Sequence, residues 1–172
     1  MKHRKILVTG ATGFVGRHVV EALLAQGYSV RAVARKPSVL TEQAAWISSV
    51  EFVQADVHSD LLDVVCLLEG IDAMVHLTWP GLPNYQALFH FESNLMGDYR
   101  FIKKVVEHGI PQIMIAGTCF EYGMQSGPLS EDMLAEPTNP YALAKHTLRL
   151  FLEALRQILP FTLQWIRLFY LY

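Results

Sequence analysis

Cysteine is nearly missing from this chain of 172 residues, where only Cys66 and Cys119 occur. Two thiols build neither a disulfide framework nor a thiolate metal site, and a reducing cytoplasm fits them. The seven histidines are scattered without ligand spacing, so no metal is expected. No apolar run reaches the roughly 18 residues that span a bilayer, and no membrane partner is expected. The start, Met1-Lys2-His3-Arg4-Lys5, is basic, but Thr9 and Gly10 soon interrupt Ile6-Leu7-Val8, which is too short for a signal-peptide core. No basic run follows Lys5, and the formal net charge is −2. With a pI near 6.4, nucleic acid is not an expected partner.

What the chain does hold is apolar surface. Hydrophobic residues make up 52%, and the mean hydropathy is +0.25. That suits a sheet buried on both faces, or a surface covered by a missing partner. The length fits one domain over residues 1–172, long enough to bury a core. Apolar runs alternate with helical patterns throughout. Strands are predicted at Lys5–Val8, Tyr28–Ala34, Val50–Ala55, Ala73–Leu77, Ile113–Ala116 and Leu163–Leu171. Helices are predicted at Gly16–Gln26, Leu61–Leu68, Tyr85–His108 and Tyr141–Leu159, with Gly27, Gly70, Gly109 and Pro160 as stops. Between Gly117 and Asn139 lies an irregular loop. This alternation predicts an α/β fold, a doubly wound parallel sheet of Rossmann type with helices on both faces. Ligands of such sheets bind beyond the carboxyl ends of the strands, here after Val8, Ala34, Ala55, Leu77 and Ala116.

Chemistry first shows at the end of the first strand, in Thr9-Gly-Ala-Thr-Gly-Phe-Val-Gly16. Gly10, Gly13 and Gly16 stand three apart between a strand and a helix. Glycine there permits a tight turn and lets backbone N–H groups approach a pyrophosphate at a helix N-terminus. Gly10, Thr12, Gly13, Phe14, Val15 and Gly16 are therefore candidate cofactor-binding residues. The spacing is GxxGxxG, not GxGxxG. With Thr9-Gly10 in front it resembles the extended short-chain dehydrogenase/reductases, also called the NAD-dependent epimerase/dehydratase family. These are nucleotide-sugar epimerases, dehydratases and ketoreductases.

An acidic residue at the end of the second strand usually binds the adenosine ribose and marks NAD. Here the chain reads Val33-Ala34-Arg35-Lys36-Pro37. Arg35 and Lys36 suit a 2′-phosphate and point to NADP, with NAD as the alternative; both are otherwise solvated loop charges. Arg31, inside the strand, is a weaker candidate. The resemblance assigns Asp56, followed by Val57, to the adenine amino group, whereas an Asp after a strand is by itself a common turn former. Leu77 and Thr78 end the fourth strand, where the family's backbone lines the cofactor. His76 reads as a packed histidine. The resemblance also makes Asn94 a helix asparagine that bonds backbone and orders the active-site lysine, with an exposed helix Asn as the alternative.

Tyr141 and Lys145 stand four apart in Pro140-Tyr-Ala-Leu-Ala-Lys145 and share a helix face. The family's YxxxK opens a helix at this place. Moving a hydroxyl proton during hydride transfer asks a tyrosine, with a pKa near 10, to act near pH 7, roughly 3 units or about 4 kcal/mol. A nearby ammonium and an oxidised nicotinamide favour the tyrosinate. Thr118, four residues before Tyr122-Gly123, matches the family's third catalytic residue and would hold the substrate oxygen against Tyr141.

The family's 4,6-dehydratases carry Asp-Glu directly after that threonine. Cys119 and Phe120 stand there instead, and Glu121 comes one place late, facing the other way in an extended backbone. Dehydration is therefore disfavoured. Two chemistries remain: NADPH reduction of a 4-keto nucleotide-6-deoxysugar, as in surface-polysaccharide or deoxysugar biosynthesis, and C4 epimerisation with tightly held NAD. The stretches Leu77–Tyr85 and Gly117–Met124 resemble bacterial dTDP-6-deoxysugar 4-ketoreductases, and Trp79, Leu82 and Tyr85 are candidates for a sugar pocket or for core packing. A non-catalytic NADP(H) sensor is a third reading, against which the intact Thr118, Tyr141 and Lys145 argue. Family members run well past the sixth strand, so an N-terminal fragment is expected to bind cofactor without full turnover. Phe151, Leu152, Leu155 and Leu159 give the last helix apolar surface for a homodimer, or simply for the core.

Overall fold

The computed structural model describes residues 4–36 and 45–171. Met1, Lys2 and His3 of the basic start, Pro37 after the Arg35-Lys36 pair, and Tyr172 lie outside them. Six strands form one parallel sheet: β1 Lys5–Thr9, β2 Ser29–Ala34, β3 Glu51–Gln54, β4 Ala73–His76, β5 Gln112–Thr118 and β6 Thr162–Leu168. Their order is β3-β2-β1-β4-β5-β6, with every pairing parallel. The helices are α1 Phe14–Ala25, α2 Val64–Leu68, α3 Met96–Glu107 and α4 Pro140–Leu155.

Period-two alternation sends neighbouring residues of one strand into different cores. On β1, Ile6 and Val8 pack with Val20 of α1. Leu7 points through the other face to Phe101, Ile102 and Leu148 of α3 and α4. The central strands are thus buried on both sides, as their continuous apolar runs require. The order reverses between β1 and β4, and the crevice there opens at the strands' carboxyl ends.

Several boundaries differ from expectation. The long helix does not begin at Tyr85. Pro80, Gly81 and Pro83 keep that stretch in turns, and a π-helical turn, His90–Leu95, precedes α3. Asp63 caps α2 by accepting from the Cys66 N–H at 3.0 Å, so the helix starts at Val64, three residues after the expected Leu61; Leu61, 95% exposed, has no face to bury. Strand β5 runs on to Thr118, and Cys119–Tyr122 forms a 3₁₀ turn. Helix α4 stops at Leu155, and β6 stops at Leu168 as an edge strand that pairs, among the described residues, with β5 alone. Leu152 and Leu155, offered as dimer surface, are core residues, while Phe151 is exposed beside Leu143 and Leu150.

Candidate active site

A cleft of about 600 Å³ sits over the ends of β1, β2, β3 and β4. Gly10, Thr12 and Gly13 form one wall, with Arg35, Lys36, Asp56 and Val57 on the β2–β3 side and Leu77 and Thr78 as floor. Gly10 has φ +68°, and a Cβ there would lie 3.0 Å from the Thr78 nitrogen and the Leu77 carbonyl carbon. Gly16 lies outside the cleft. A Cβ on it would stand 2.1 Å from the Gly10 oxygen, so it lets α1 close onto the loop. The first turn of α1 has no acidic residue and Gly13 caps it without a side chain, which leaves its N–H groups and positive end to an anion. These residues fit a dinucleotide's pyrophosphate.

Strand β2 ends at Ala34 without an acid, and Arg35 and Lys36 are exposed at the rim. Arg31 does not join them. It is 7% exposed, pairs with Glu51 at 2.9 Å and donates to the carbonyls of Leu67 at 2.5 Å and Glu69 at 3.1 Å, where it satisfies the end of α2. Asp56 lines the cleft and also makes a turn, accepting from the His58 N–H at 3.0 Å. Both roles weighed for it from the sequence are open to the same carboxylate.

A second cavity, about 260 Å³, adjoins the first, with Leu77 and Trp79 lining both. Thr118, Tyr141 and Lys145 meet in it, as do Phe14, Val15, Leu82 and Tyr85. Asn139 starts α4 by accepting from the Ala142 N–H at 2.9 Å, and Pro140 occupies the first turn. Tyr141 and Lys145 therefore fall on the inward face, 7% and 2% exposed. Trp79, His90 and Tyr85 surround the Tyr141 ring, with centroids 5.9, 5.4 and 5.5 Å away.

Burial pushes the Tyr141 phenol up to about 12, and a hydrogen bond with the Thr118 hydroxyl pulls against it. Burial also pushes Lys145 down to about 8, with Asp98 and Glu121 working the other way. The lysine donates to the Ala116 carbonyl at 2.8 Å. The lowered phenol expected from the sequence calls on an oxidised nicotinamide as well as Lys145, and these values belong to the cofactor-free site. A dry site disfavours both charged forms.

Asn94 is 3% exposed and touches neither cavity. It donates to the Pro80 carbonyl at 2.9 Å, so the backbone bond expected of it is present and its exposure is not. His90, fully buried, receives the Trp79 N–H at 3.1 Å and lies 2.8 Å from the Asn84 carbonyl through its other nitrogen. Nothing in the sequence marked His90, which sits among Leu88, Phe89 and Phe91.

A family model described as the NAD dependent epimerase/dehydratase family matches residues 6–172. The chain belongs to that family. It is 31% identical over 168 residues to a dTDP-6-deoxy-L-talose 4-dehydrogenase (NAD(+)) of Aggregatibacter actinomycetemcomitans, covering 96% of this chain and 61% of that protein. A UDP-glucose 4-epimerase of Halalkalibacterium halodurans is 32% identical over 145 residues, 81% of this chain and 42% of the epimerase. Among solved structures, the UDP-glucuronic acid 4-epimerase of Bacillus cereus in complex with UDP-glucuronic acid and NAD superposes with TM-score 0.80 at 26% identity, over 98% of this chain and 57% of the other. MoeE5 in complex with UDP-glucuronic acid and NAD gives 0.81 at 28%, over 98% and 55%. The chain spans about two-fifths to three-fifths of these proteins.

Within this epimerase/dehydratase family, the wall beside Thr118 sets the chain apart from the acid pair that the resemblance gives to dehydratases. Cys119 and Phe120 line the cavity there. Burial pushes the Cys119 thiol up, away from acid–base work near neutrality. Glu121 turns away from the cavity and is fully buried. Its direction matches expectation, but the cause is the 3₁₀ turn, not an extended backbone.

Proposed function

We propose that this chain supplies the cofactor-binding and proton-transfer groups of a reductase acting on the C4 carbonyl of a nucleotide-linked 4-keto-6-deoxysugar. The carrying observation is the meeting of Thr118, Tyr141 and Lys145 in a cavity that adjoins the glycine-loop cleft, with Cys119 and Phe120 in place of a second acid. The likeness to the talose dehydrogenase supports the choice of C4 oxidoreduction.

Gly10, Thr12, Gly13, Phe14, Val15, Asp56, Val57, Leu77 and Thr78 are proposed to hold the dinucleotide, with Gly16 and Asn94 shaping its site from outside the cavities. The bound nicotinamide supplies the hydride. Tyr141, at about 12, carries its proton at pH 7 and so can donate it to the carbonyl oxygen. Oxidation of a carbinol asks the same residue for the opposite state, a tyrosinate. Thr118 holds the substrate oxygen against the phenol, and Lys145, at about 8, exchanges protons near neutrality. Arg35 and Lys36, with no acid on β2, favour NADP. Leu143, Leu150 and Phe151 are exposed apolar residues on α4 for a homodimer. Two free cysteines suit the cytoplasm.

The test is turnover of a dTDP-linked 4-keto-6-deoxyhexose with NADPH, followed by nicotinamide absorbance and product NMR. Reduction at C4 is expected, falling roughly 10²–10⁴-fold in Tyr141→Phe while cofactor binding persists. A Tyr141→Phe protein with undiminished function contradicts catalysis and points to a sensor. The second reading, C4 epimerisation with held NAD, draws on the epimerases among the relatives; inversion of UDP-glucose without added cofactor would replace the reductase.

A further inference from the structure

Glu121 carries a side chain that the proposed chemistry leaves unused, and it sits at the junction of three elements. Its carboxylate is fully buried. Oε1 accepts from the Thr118 backbone N–H at 2.8 Å and the Trp165 indole N–H at 2.9 Å. Oε2 accepts from Trp165 at 3.1 Å and Arg167 Nε at 3.3 Å. The first donor belongs to the end of β5 and the other two to β6. From α4, His146 Nδ1 faces Oε2 at 3.9 Å, one residue after Lys145.

The surroundings are shaped for this carboxylate. A Cβ at Gly117 would stand 2.6 Å from Oε1 and 2.3 Å from the Trp165 nitrogen, so glycine alone leaves room for the pair. The Glu121 carbonyl accepts from the Glu136 N–H at 2.9 Å, which ties the long β5–α4 loop to the same point. Arg167 lies 4.4 Å over the Tyr122 ring and closes the outer side. A buried ion cluster of this kind is commonly replaceable by packed apolar side chains at little loss of stability. Stability is therefore a weak explanation for it, and its position beside Thr118 and Lys145 suggests a stronger one.

We propose that Glu121 is a positioning residue: its carboxylate clamps the backbone of Thr118 at the end of β5 and acts, with Asp98, as counter-charge to Lys145. The assignment rests on the reading of Thr118, Tyr141 and Lys145 as the reacting set. Glu121 does not line the cavity and works through those residues. Lys145 is tied to the same strand end, through the Ala116 carbonyl two residues before Thr118, and the negative charge of Glu121 favours the protonated form of both Lys145 and Tyr141. The charged and titratable groups that interact with it are Arg167 from β6, His146, Lys145 and Tyr141 from α4, and Cys119 from its own 3₁₀ turn.

The test titrates Lys145 by NMR of its ¹³Cε and ¹⁵Nζ resonances in the cofactor-free protein. Glu121→Gln is expected to move the Lys145 midpoint below that of the wild type. Trp165→Phe removes one donor but keeps the charge, and is expected to lower Tm while leaving the midpoint in place. Glu121→Ala is expected to speed hydrogen exchange of the Thr118 amide. A Lys145 midpoint unchanged in Glu121→Gln, or a Thr118 amide equally protected in Glu121→Ala, overturns the assignment. If neither Glu121 variant folds, Arg167→Gln gives the opposite sign: the less compensated carboxylate raises the midpoint, and an unmoved one overturns the proposal. Cofactor binding by the wild type is measured separately. Its absence would end the functional reading, while the Lys145 shift would still stand or fall by itself.

Discussion

The Lys145 ammonium lies 4.1 Å from the centroid of the Trp79 ring, over its face. Trp79 is itself buried and fixed by its N–H bond to His90. A cation on a desolvated indole gains about 2 kcal/mol. The ring thus offsets part of what burial costs the lysine, and it links the two cavities whose shared wall it forms.

Burial of Lys145 has a signature in stability. Its folded value, about 8, lies below its ordinary 10.5. Between these values the unfolded chain binds more protons, so raising the pH through this window favours folding by up to about 3 kcal/mol. Lys145→Met lacks the buried charge. Its stability relative to wild type, from urea unfolding, is expected to be greatest at pH 7 and to shrink by pH 9.5. A difference independent of pH contradicts the low value.

Gly16→Ala tests the closure of α1 onto the glycine loop. Its Cβ would meet backbone at 2.1 Å on the Gly10 oxygen and 2.8 Å on Ala11 Cα, where no side chain can swing aside. The expected cost is about 1–3 kcal/mol with weaker cofactor binding. Thermal unfolding and a binding titration check both.

Asp98 anchors a buried network of four side chains. Its Oδ1 lies 2.5 Å from His58 Nε2 and 3.2 Å from His76 Nε2, the latter off the hydrogen-bond direction. His76 in turn meets Thr9 Oγ1 at 2.8 Å. Against the effect of burial, His76 and His58 hold the Asp98 carboxyl down at about 2. That contribution, about 2 kcal/mol, is present above pH 3.8 and lost as pH falls towards 2. Asp98→Asn is expected to destabilise the protein at pH 7 and to flatten its stability profile between pH 4 and pH 2, read by urea unfolding.

The sheet was legible because each strand is an apolar run bounded by a turn signal, and Gly27, Gly70 and Gly109 indeed adopt positive φ at element ends. The glycine loop and the Tyr141–Lys145 pair were legible because local spacing carries them. What escaped depends on contacts far apart in sequence. Arg31 looks like a cofactor candidate until α2 offers it carbonyls 36 residues away. Leu152 and Leu155 share a stripe with Phe151, and only the packing of α3 and α4 on the sheet decides which of them is core. Glu121 reads as a misplaced acid because its donors, Trp165 and Arg167, arrive from β6. The π turn at His90–Leu95 has no periodic signature at all.

Cofactor binding is the claim on which the rest depends, and calorimetric titration with NADPH and NADH tests it most directly. The account predicts saturable binding of both, tighter for NADPH, with the preference reduced in a protein carrying Arg35→Ser and Lys36→Ser. Tighter binding of NADH would contradict the assignment of Arg35 and Lys36 and favour the epimerase. Binding of neither would contradict the cofactor site itself.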